Sequence, residues 1–182
     1  MHATRILRSL LATLLLVSIC IVPVLAENGE ETVQDNKAEV FTYLTEEMGL
    51  STAAACGVMA NIEYESEFDP TARGDGGASY GLCQWYSSRQ ETLRRFCEES
   101  GLDEDSVAGQ MAYLQHELET GYTYVLDYIR SVEDSPSGAY DAAWYWCCYF
   151  EIPSDREYKA MERGDLASET YYPEYAQTEE QA

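Results

Sequence analysis

A chain of 182 residues, 46% of them hydrophobic, is long enough for one domain with a buried core. Its formal net charge of −22 argues against binding to nucleic acid through phosphates and against electrostatic adhesion to anionic membranes or walls. An anionic polymer on which this protein acts must therefore be bound locally, by stacking and hydrogen bonds.

The first 26 residues have the pattern of a secretory signal peptide. Arg5 and Arg8 precede the apolar run SLLATLLLVSICIVPVL, and the segment VLA provides a small-x-small cleavage pattern before residue 27. This pattern predicts a protein secreted to the extracellular space or the cell wall, without strong membrane binding after cleavage. An uncleaved membrane anchor is the alternative, because the apolar run is close to the length that spans a bilayer.

Five cysteines follow this segment: Cys56, Cys83, Cys97, Cys147 and Cys148. Disulfides are expected outside the cytosol, but an odd number leaves one thiol over, and the sequence leaves the pairing open. No CxxC spacing occurs, and His116 is the only histidine after residue 26. We therefore expect no metal site and no other cofactor.

An acidic linker, ENGEETVQDNK, is predicted over residues 27–37. Apolar periodicity and turn signals then predict, in chain order, a helix over 38–48, a helix from Ser51 or Thr52 to about Ser66, a loop with a small hairpin over 67–86, a helix over 88–100, helices over 107–118 and 125–129, a buried helix over 139–150 and a surface helix over 155–163. Ser88 and Glu91 form a capping-box pattern. The tail, 173–182, is acidic and is predicted to be disordered. The fold class is mainly α, with one helical domain over 38–172 and one small β-hairpin.

One acidic residue lies on the apolar face of the second predicted helix. At about 100° per residue, the core stripe of this helix comprises Ala54, Ala55, Val58 and Ile62. Glu65 falls inside that stripe, whereas Glu63 and Glu67 fall on the opposite side and are expected to be solvated. Partial burial and the negative end of a helix dipole both favour a protonated carboxyl. Glu65 is therefore a candidate general acid for glycoside cleavage, and an ion pair with Arg73 or a local cap is the alternative.

The glycine-rich segment RGDGGASYGLCQW holds two further candidates. Asp75 lies in a turn whose glycines let a backbone approach a ligand closely. It is either an ordinary Asx-turn residue or a second carboxylate that positions or deprotonates the attacking water, as in inverting glycosidases. Gln84 is a polar residue in an apolar run, so it either hydrogen-bonds a sugar amide or caps a turn.

These motifs resemble those of lysozyme-like enzymes. ESEFDP at 65–70 is similar to the ES-x-F-x-P signature of goose-type lysozymes and soluble lytic transglycosylases, and GDGGASYGLCQW at 74–85 resembles their glycine-rich hairpin. Residues 38–66 and the segment YFEIP at 149–153 look most like phage tail lysozyme domains. The resemblance covers roughly residues 38–165, and it implies a lysozyme-like fold.

The resemblance also implies an activity, cleavage of the β-1,4 bond between N-acetylmuramic acid and N-acetylglucosamine in peptidoglycan glycan strands. Glu65 matches the catalytic acid of these enzymes, and Asp75 matches an aspartate that helps goose-type enzymes hold the hydrolytic water. Those enzymes can carry another aspartate just after the hairpin, where this chain has Trp85 and Tyr86. Hydrolysis and lytic transglycosylation, which needs a single glutamate, therefore both stay open.

Glu151 and three aromatic residues complete the expected substrate-binding set. Glu151 either faces the cleft, where it orients substrate or a supporting arginine, or ends a buried helix and pairs with Arg156 or a backbone amide. The second interpretation is favoured, because buried acids are usually paired. Tyr80, Trp85 and Tyr149 flank the motifs, and we expect their rings to stack on sugars in the cleft.

Three functional hypotheses follow. The first is a secreted peptidoglycan glycosidase, a muramidase or lytic transglycosylase, with Glu65 as the acid. The second is a non-catalytic cell-wall-binding or adaptor protein that keeps the fold. The third is a lysozyme module that opens the wall locally for a cell-envelope secretion or conjugation machine. A core-facing glutamate favours the enzyme over the binding protein.

Overall fold

The computed structural model describes residues 27–179, and α-helices form most of this part of the chain. The helices are α1 Glu27–Thr42, α2 Thr52–Ser66, α3 Ser88–Ser100, α4 Val107–Thr120, α5 Thr123–Ser131, α6 Pro136–Trp146, α7 Arg156–Leu166 and α8 Tyr172–Glu179. The strands are β1 Arg73–Gly74, β2 Ser79–Tyr80 and β3 Trp85–Tyr86. Three π-helical turns, Tyr43–Glu47, Cys147–Glu151 and Ala167–Tyr171, continue α1, α6 and α7. The mainly α fold class with a small β part is confirmed.

Helix α2 lies at the centre of the domain. Its first eleven residues, 52–62, are all buried, so burial extends well beyond the predicted core stripe to every face of the helix. Ser51 caps the helix, because its Oγ accepts a hydrogen bond from the Ala54 N–H at 3.2 Å. The Ala53 N–H donates to Asp134 Oδ1 at 2.8 Å, which ties this end to the turn before α6. The helix therefore carries its last turn, with Glu65, to the edge of the core.

Helices α2 and α6 approach closely at Gly57. A Cβ at this position would lie 2.6 Å from Ala142 Cβ and 2.7 Å from the Ala143 backbone nitrogen. We expect Gly57→Ala to lower the free energy of unfolding by about 1–3 kcal/mol, because overpacking here outweighs the better helix propensity of alanine. Urea unfolding measures the change. Gly121→Ala is the control, since its Cβ would meet only Glu117 O at 3.4 Å; equal stability of both variants would contradict the prediction.

The small sheet connects α2 to α3 and is antiparallel in the order β1-β2-β3. Gln110, fully buried on α4, holds this segment in place. Its Oε1 accepts from the Leu82 N–H at 2.8 Å, and its Nε2 donates to Pro70 O at 2.6 Å. Gly81, with φ +74°, gives this amide room, because a Cβ there would lie 2.4 Å from Gln110 Oε1. The prediction of a small hairpin is confirmed, and a third strand extends it.

The prediction of an acidic linker over residues 27–37 is wrong, because these residues form the first part of α1. Asn36 Nδ2 donates to Phe68 O at 2.9 Å, and Lys37 Nζ lies 5.2 Å from the Phe68 ring centroid. Lys37 also lies 3.5 Å from Glu63 Oε2, and the Tyr171 hydroxyl donates to the same carboxylate. Glu63 is therefore not a simple solvated charge, and long-range contacts order a segment whose composition alone favours disorder.

The predicted disordered tail, 173–182, is likewise helical as far as residue 179, in α8. The Tyr175 ring packs against Phe41 at a centroid distance of 4.2 Å, and it lies 6.1 Å from the Tyr171 ring. These aromatic contacts hold α8 against α1, which explains why its acidic composition does not prevent folding. Residues 180–182 and the predicted signal peptide, 1–26, lie outside the described residues.

Helix α3 has the predicted bounds, but its predicted capping box does not form. Ser87, with φ 49°, is the residue before the helix, and its side chain makes no capping hydrogen bond. Gly101 closes the helix in the left-handed conformation, as predicted. Within residues 27–179, no helix is both long enough and apolar enough to cross a bilayer.

The cysteines lie in the interior. Cys83, Cys97, Cys147 and Cys148 are buried free thiols, so no two of these four are joined in a disulfide. Burial raises the pKa of the Cys147 thiol to about 11, with Arg163 opposing that rise. These thiols are therefore packed as small apolar groups.

Candidate active site

A cleft of about 490 Å³ opens between the end of α2, the small sheet and the residues that follow α6. Its lining residues are Glu65, Gly74, Asp75, Ser79, Gln84, Tyr86, Arg89, Glu151, Ile152 and Pro153. Four of the seven predicted site residues, Glu65, Asp75, Gln84 and Glu151, are therefore brought together in one concave site. The carboxylates among them come from three separate segments of the chain.

Glu65 lies in the last turn of α2, on the stripe that the helical wheel predicts. Its Oε1 accepts a hydrogen bond from Arg163 Nη2 at 2.6 Å, and the two side chains are 18% and 4% exposed. Arg163 comes from α7, and its Nη1 donates to Asn61 Oδ1 at 2.8 Å. Asn61 is itself anchored, because its Nδ2 donates to Gly57 O at 2.9 Å. The partner of Glu65 is thus a buried arginine fixed by α2, and not Arg73.

Glu151 ends the π-helical turn after α6 and faces the cleft. Its Oε1 accepts from Trp146 Nε1 at 3.0 Å. The predicted ion pair with Arg156 is wrong, because Arg156 Nη1 donates to Cys148 O at 3.2 Å instead. Burial, followed by the nearby charge of Glu65, raises the pKa of Glu151 to about 8, against the opposing effects of Arg89, Arg163 and the Trp146 hydrogen bond. Burial and the Glu65 charge thus both favour the protonated form of the Glu151 carboxyl.

Asp75 and Gln84 lie on the sheet side of the cleft. Asp75 is exposed, with φ 50°, and its Oδ2 accepts from Ser79 Oγ at 2.6 Å. Gln84, with φ 44°, donates through Nε2 to Gly81 O at 3.0 Å and to Ala72 O at 3.3 Å. The Gln84 amide thus holds its turn, as the turn-capping interpretation predicts, and the side chain also lines the cleft. The other carboxylate oxygen of Asp75, Oδ1, takes no part in the hydrogen bond from Ser79.

The three predicted stacking residues do not line this cleft. Tyr80 is completely buried, and its hydroxyl donates to Asp105. Trp85 is also completely buried, and its Nε1 donates to Glu117 Oε2 at 2.9 Å. Tyr149 is 39% exposed but lines a separate groove on the other side of its helical turn. The prediction that these rings face the cleft is wrong, because closeness to a motif does not determine the direction of a side chain.

The sequence patterns did not indicate three residues of the site, Tyr86, Arg89 and Arg163. Tyr86 is 59% exposed and is the aromatic residue that lines the cleft. Strand alternation could have found it, because neighbours in a strand face opposite sides and Trp85 is buried. Arg89 borders the cleft, where its Nε and Nη2 donate to Glu117 at 2.7 and 2.9 Å. No local sequence pattern indicates a role for Arg163, because its partner Glu65 lies 98 positions away.

A helical domain with a small sheet, and a carboxylate cleft between them, defines a lysozyme-like protein. The sequence profile of the phage tail lysozyme family matches residues 35–173, which is most of the chain. The chain therefore belongs to the phage tail lysozyme family, and it is a lysozyme-like domain of the class that acts on peptidoglycan. A search of curated proteins gave no match.

Proposed function

We propose that this protein is a peptidoglycan glycosidase that cleaves the β-1,4 bond between N-acetylmuramic acid and N-acetylglucosamine, with Glu65 as the general acid. The observation that carries the proposal is the position of Glu65. It lies at the cleft end of the buried helix α2, within the ESEFDP motif, and it faces the same cleft as Asp75. A carboxyl at the edge of a core, in one cleft with a second carboxylate, supports cleavage of a glycoside by acid and base catalysis.

The chemistry of the reaction assigns a role to each side of the cleft. Glu65 gives a proton to the glycosidic oxygen as the bond from that oxygen to the anomeric carbon breaks, and the oxygen keeps the bonding electron pair. The muramic acid ring passes through an oxocarbenium-like state. Water then adds its oxygen to the anomeric carbon and loses a proton to a carboxylate. The Arg163 hydrogen bond orients the Glu65 carboxyl for this proton transfer.

Product analysis tests this proposal. The protein from residue 27 onward is incubated with purified peptidoglycan of several chemotypes, and the released fragments are identified by mass spectrometry. Reducing N-acetylmuramic acid ends are expected from hydrolysis. Anhydromuramic ends would indicate cleavage of the same bond by the 6-hydroxyl of the substrate. The absence of any glycan cleavage by folded protein would contradict the enzyme proposal and leave a wall-binding module.

Asp75 is proposed to hold the water that attacks the anomeric carbon. We expect Asp75→Asn to lower the rate of hydrolysis by about 10²-fold, because the amide accepts no proton from water. The rate of release of soluble glycan fragments measures the effect, and Asp127→Asn, an exposed position on α5, is the control. An unchanged rate in Asp75→Asn would remove Asp75 from the mechanism, and anhydromuramic products would explain such a result.

The site of action is also part of the proposal. The basic and apolar pattern of residues 1–26 supports export and cleavage before residue 27, which would place the domain where peptidoglycan lies. Sequencing of the N-terminus of protein recovered from the wall and culture fractions tests this. A mature N-terminus at residue 27 is expected, and an intact residue 1 in those fractions would contradict cleavage.

A further inference from the structure

The ion pair of Glu65 raises a question about the proposed reaction, on which this inference rests. A general acid must carry a proton when the glycosidic bond breaks. Arg163 Nη2 lies 2.6 Å from Glu65 Oε1, and an arginine in that position stabilises a carboxylate in its ionised form. The resting cleft therefore needs a source for the proton that Glu65 gives to the substrate.

Glu151 is the second glutamate of the same cleft, and no arginine of the described residues forms an ion pair with it. Arg89 makes two hydrogen bonds to Glu117, at 2.7 and 2.9 Å. Arg163 is engaged by Glu65 and by Asn61. The hydrogen bond that Glu151 accepts from Trp146 comes from an uncharged group. Two glutamates thus face one cleft, and a direct ion pair forms with only one of them.

The groups that act on Glu151 come from several elements. They are Glu65 on α2, Arg89 on α3, Trp146 on α6 and Arg163 on α7. Asp75 lines the same cleft, and the charge of Glu151 acts on the buried thiols of Cys83 and Cys147. Two of these groups are cations, but each has another carboxylate closer to it. Burial and the Glu65 charge outweigh them and raise the pKa of Glu151 to about 8. Ionisation of both glutamates at once is therefore unfavourable below that pH.

We propose that Glu65 and Glu151 share one proton, and that Glu151 is the positioning residue that holds it for Glu65. In the resting cleft the proton lies on Glu151, while Glu65 is paired with Arg163. Transfer of the proton to Glu65 leaves Glu151 as the anion, and the total charge of the pair is unchanged. Glu65 then protonates the leaving oxygen, Asp75 accepts the proton of the attacking water, and the glutamate pair regains its proton from solvent. Both carboxyls line the same open cleft, so water in the cleft carries the proton between them.

This arrangement makes the pair titrate as a unit. Activity requires the shared proton, so the alkaline limb of the pH–rate profile belongs to the pair and lies near the pKa of about 8 that Glu151 shows. In Glu151→Gln, Glu65 must hold the proton alone beside Arg163, without the negative charge of Glu151 in the cleft. The alkaline limb is then expected at least one pH unit lower than in the wild type.

The experiment compares the pH dependence of peptidoglycan cleavage in the wild type, Glu151→Gln and Glu157→Gln. Glu157 is exposed at the start of α7, so its replacement serves as the matched control. A downward shift of the alkaline limb in Glu151→Gln alone is the expected result. An unshifted limb in an active Glu151→Gln would overturn the shared proton. If the rate is also lower, the role of Glu151 is purely structural.

A second measurement needs neither activity nor the Glu151 variant. Carboxyl carbon NMR of glutamate-labelled wild type should show one glutamate that titrates near pH 8, and its midpoint should fall in Glu65→Gln. Absence of any glutamate that titrates above about pH 6 would overturn the inference even if cleavage is observed. Conversely, a glutamate that titrates near pH 8 in a folded protein that cleaves no glycan would contradict the proposed function and support the proton pair.

Discussion

Glu65→Gln is expected to lower the rate of peptidoglycan cleavage by about 10²–10⁴-fold, because the amide has no proton to give to the leaving oxygen. Glutamine keeps the size of the side chain and can still accept a hydrogen bond from Arg163. The loss should therefore lie in turnover, and sedimentation with peptidoglycan should show binding like that of the wild type. Release of soluble glycan fragments over time measures the rate.

Glu67→Gln is the matched control for this prediction. Glu67 lies two residues further along, is exposed, and has left-handed backbone angles with φ 53°, which glutamine tolerates as well as glutamate. Its turnover should equal that of the wild type. If Glu65→Gln retains more than a tenth of the wild-type rate, another group supplies the proton, and Glu151 is the first alternative in the cleft.

Local patterns in the sequence located the carboxylates of the site. The wheel of α2 places Glu65 on the apolar face because helical geometry repeats regularly along fifteen residues. Asp75 and Gln84 follow from the glycine-rich turn, whose backbone conformations are a local property. These residues share the cleft because the sheet follows α2 directly and is tied to it by the hydrogen bond from Ser66 Oγ to Leu82 O at 3.0 Å. Sequence neighbours of this kind are predictable.

The contacts between distant segments could not be read in the same way. The direction of Glu151 depends on how the π-helical turn continues α6, and its hydrogen bond to Trp146 spans five positions along a non-standard helix. Tyr80 and Trp85 have ring types that suit sugar stacking, but tertiary packing buries both. The acidic composition of α1 and α8 favours disorder, yet the contact of Phe41 with Tyr175 orders both segments. For the buried rings and for α1 and α8, the deciding partner is remote in sequence.

Arg163 is the remote partner on which the site depends most, because it connects the candidate acid to the core. Its side chain is 4% exposed, whereas that of Glu65 is 18% exposed. Its two terminal nitrogens satisfy Glu65 and Asn61, and its guanidinium carbon lies 5.5 Å from the Tyr64 ring centroid. One side chain thus joins α7 to the last two turns of α2. Removal of the charge should affect both the stability of the fold and the geometry of the acid.

Arg163→Met is expected to lower the free energy of unfolding by about 3 kcal/mol, since loss of one member of a buried ion pair leaves the other unpaired. Methionine fills a similar volume without donating a hydrogen bond. This loss of stability lies at the low end for buried ion pairs, because the partial exposure of Glu65 lets water solvate the unpaired carboxylate. Urea unfolding at neutral pH measures the change, with Lys159→Met, on the same helix, as the control.

The double variant Arg163→Met/Glu65→Gln separates the ion pair from the packing of the arginine. If the unpaired carboxylate causes the loss, neutralising Glu65 should restore at least about 1 kcal/mol of the unfolding free energy. The unfolding free energy of Arg163→Lys should be intermediate. One ammonium group keeps the charge but does not replace a guanidinium group that donates to Glu65 and Asn61 together. Additive losses in the double variant would show that packing, and not the charge pair, is what Arg163 contributes. The proton balance of the cleft would then depend on the two glutamates alone.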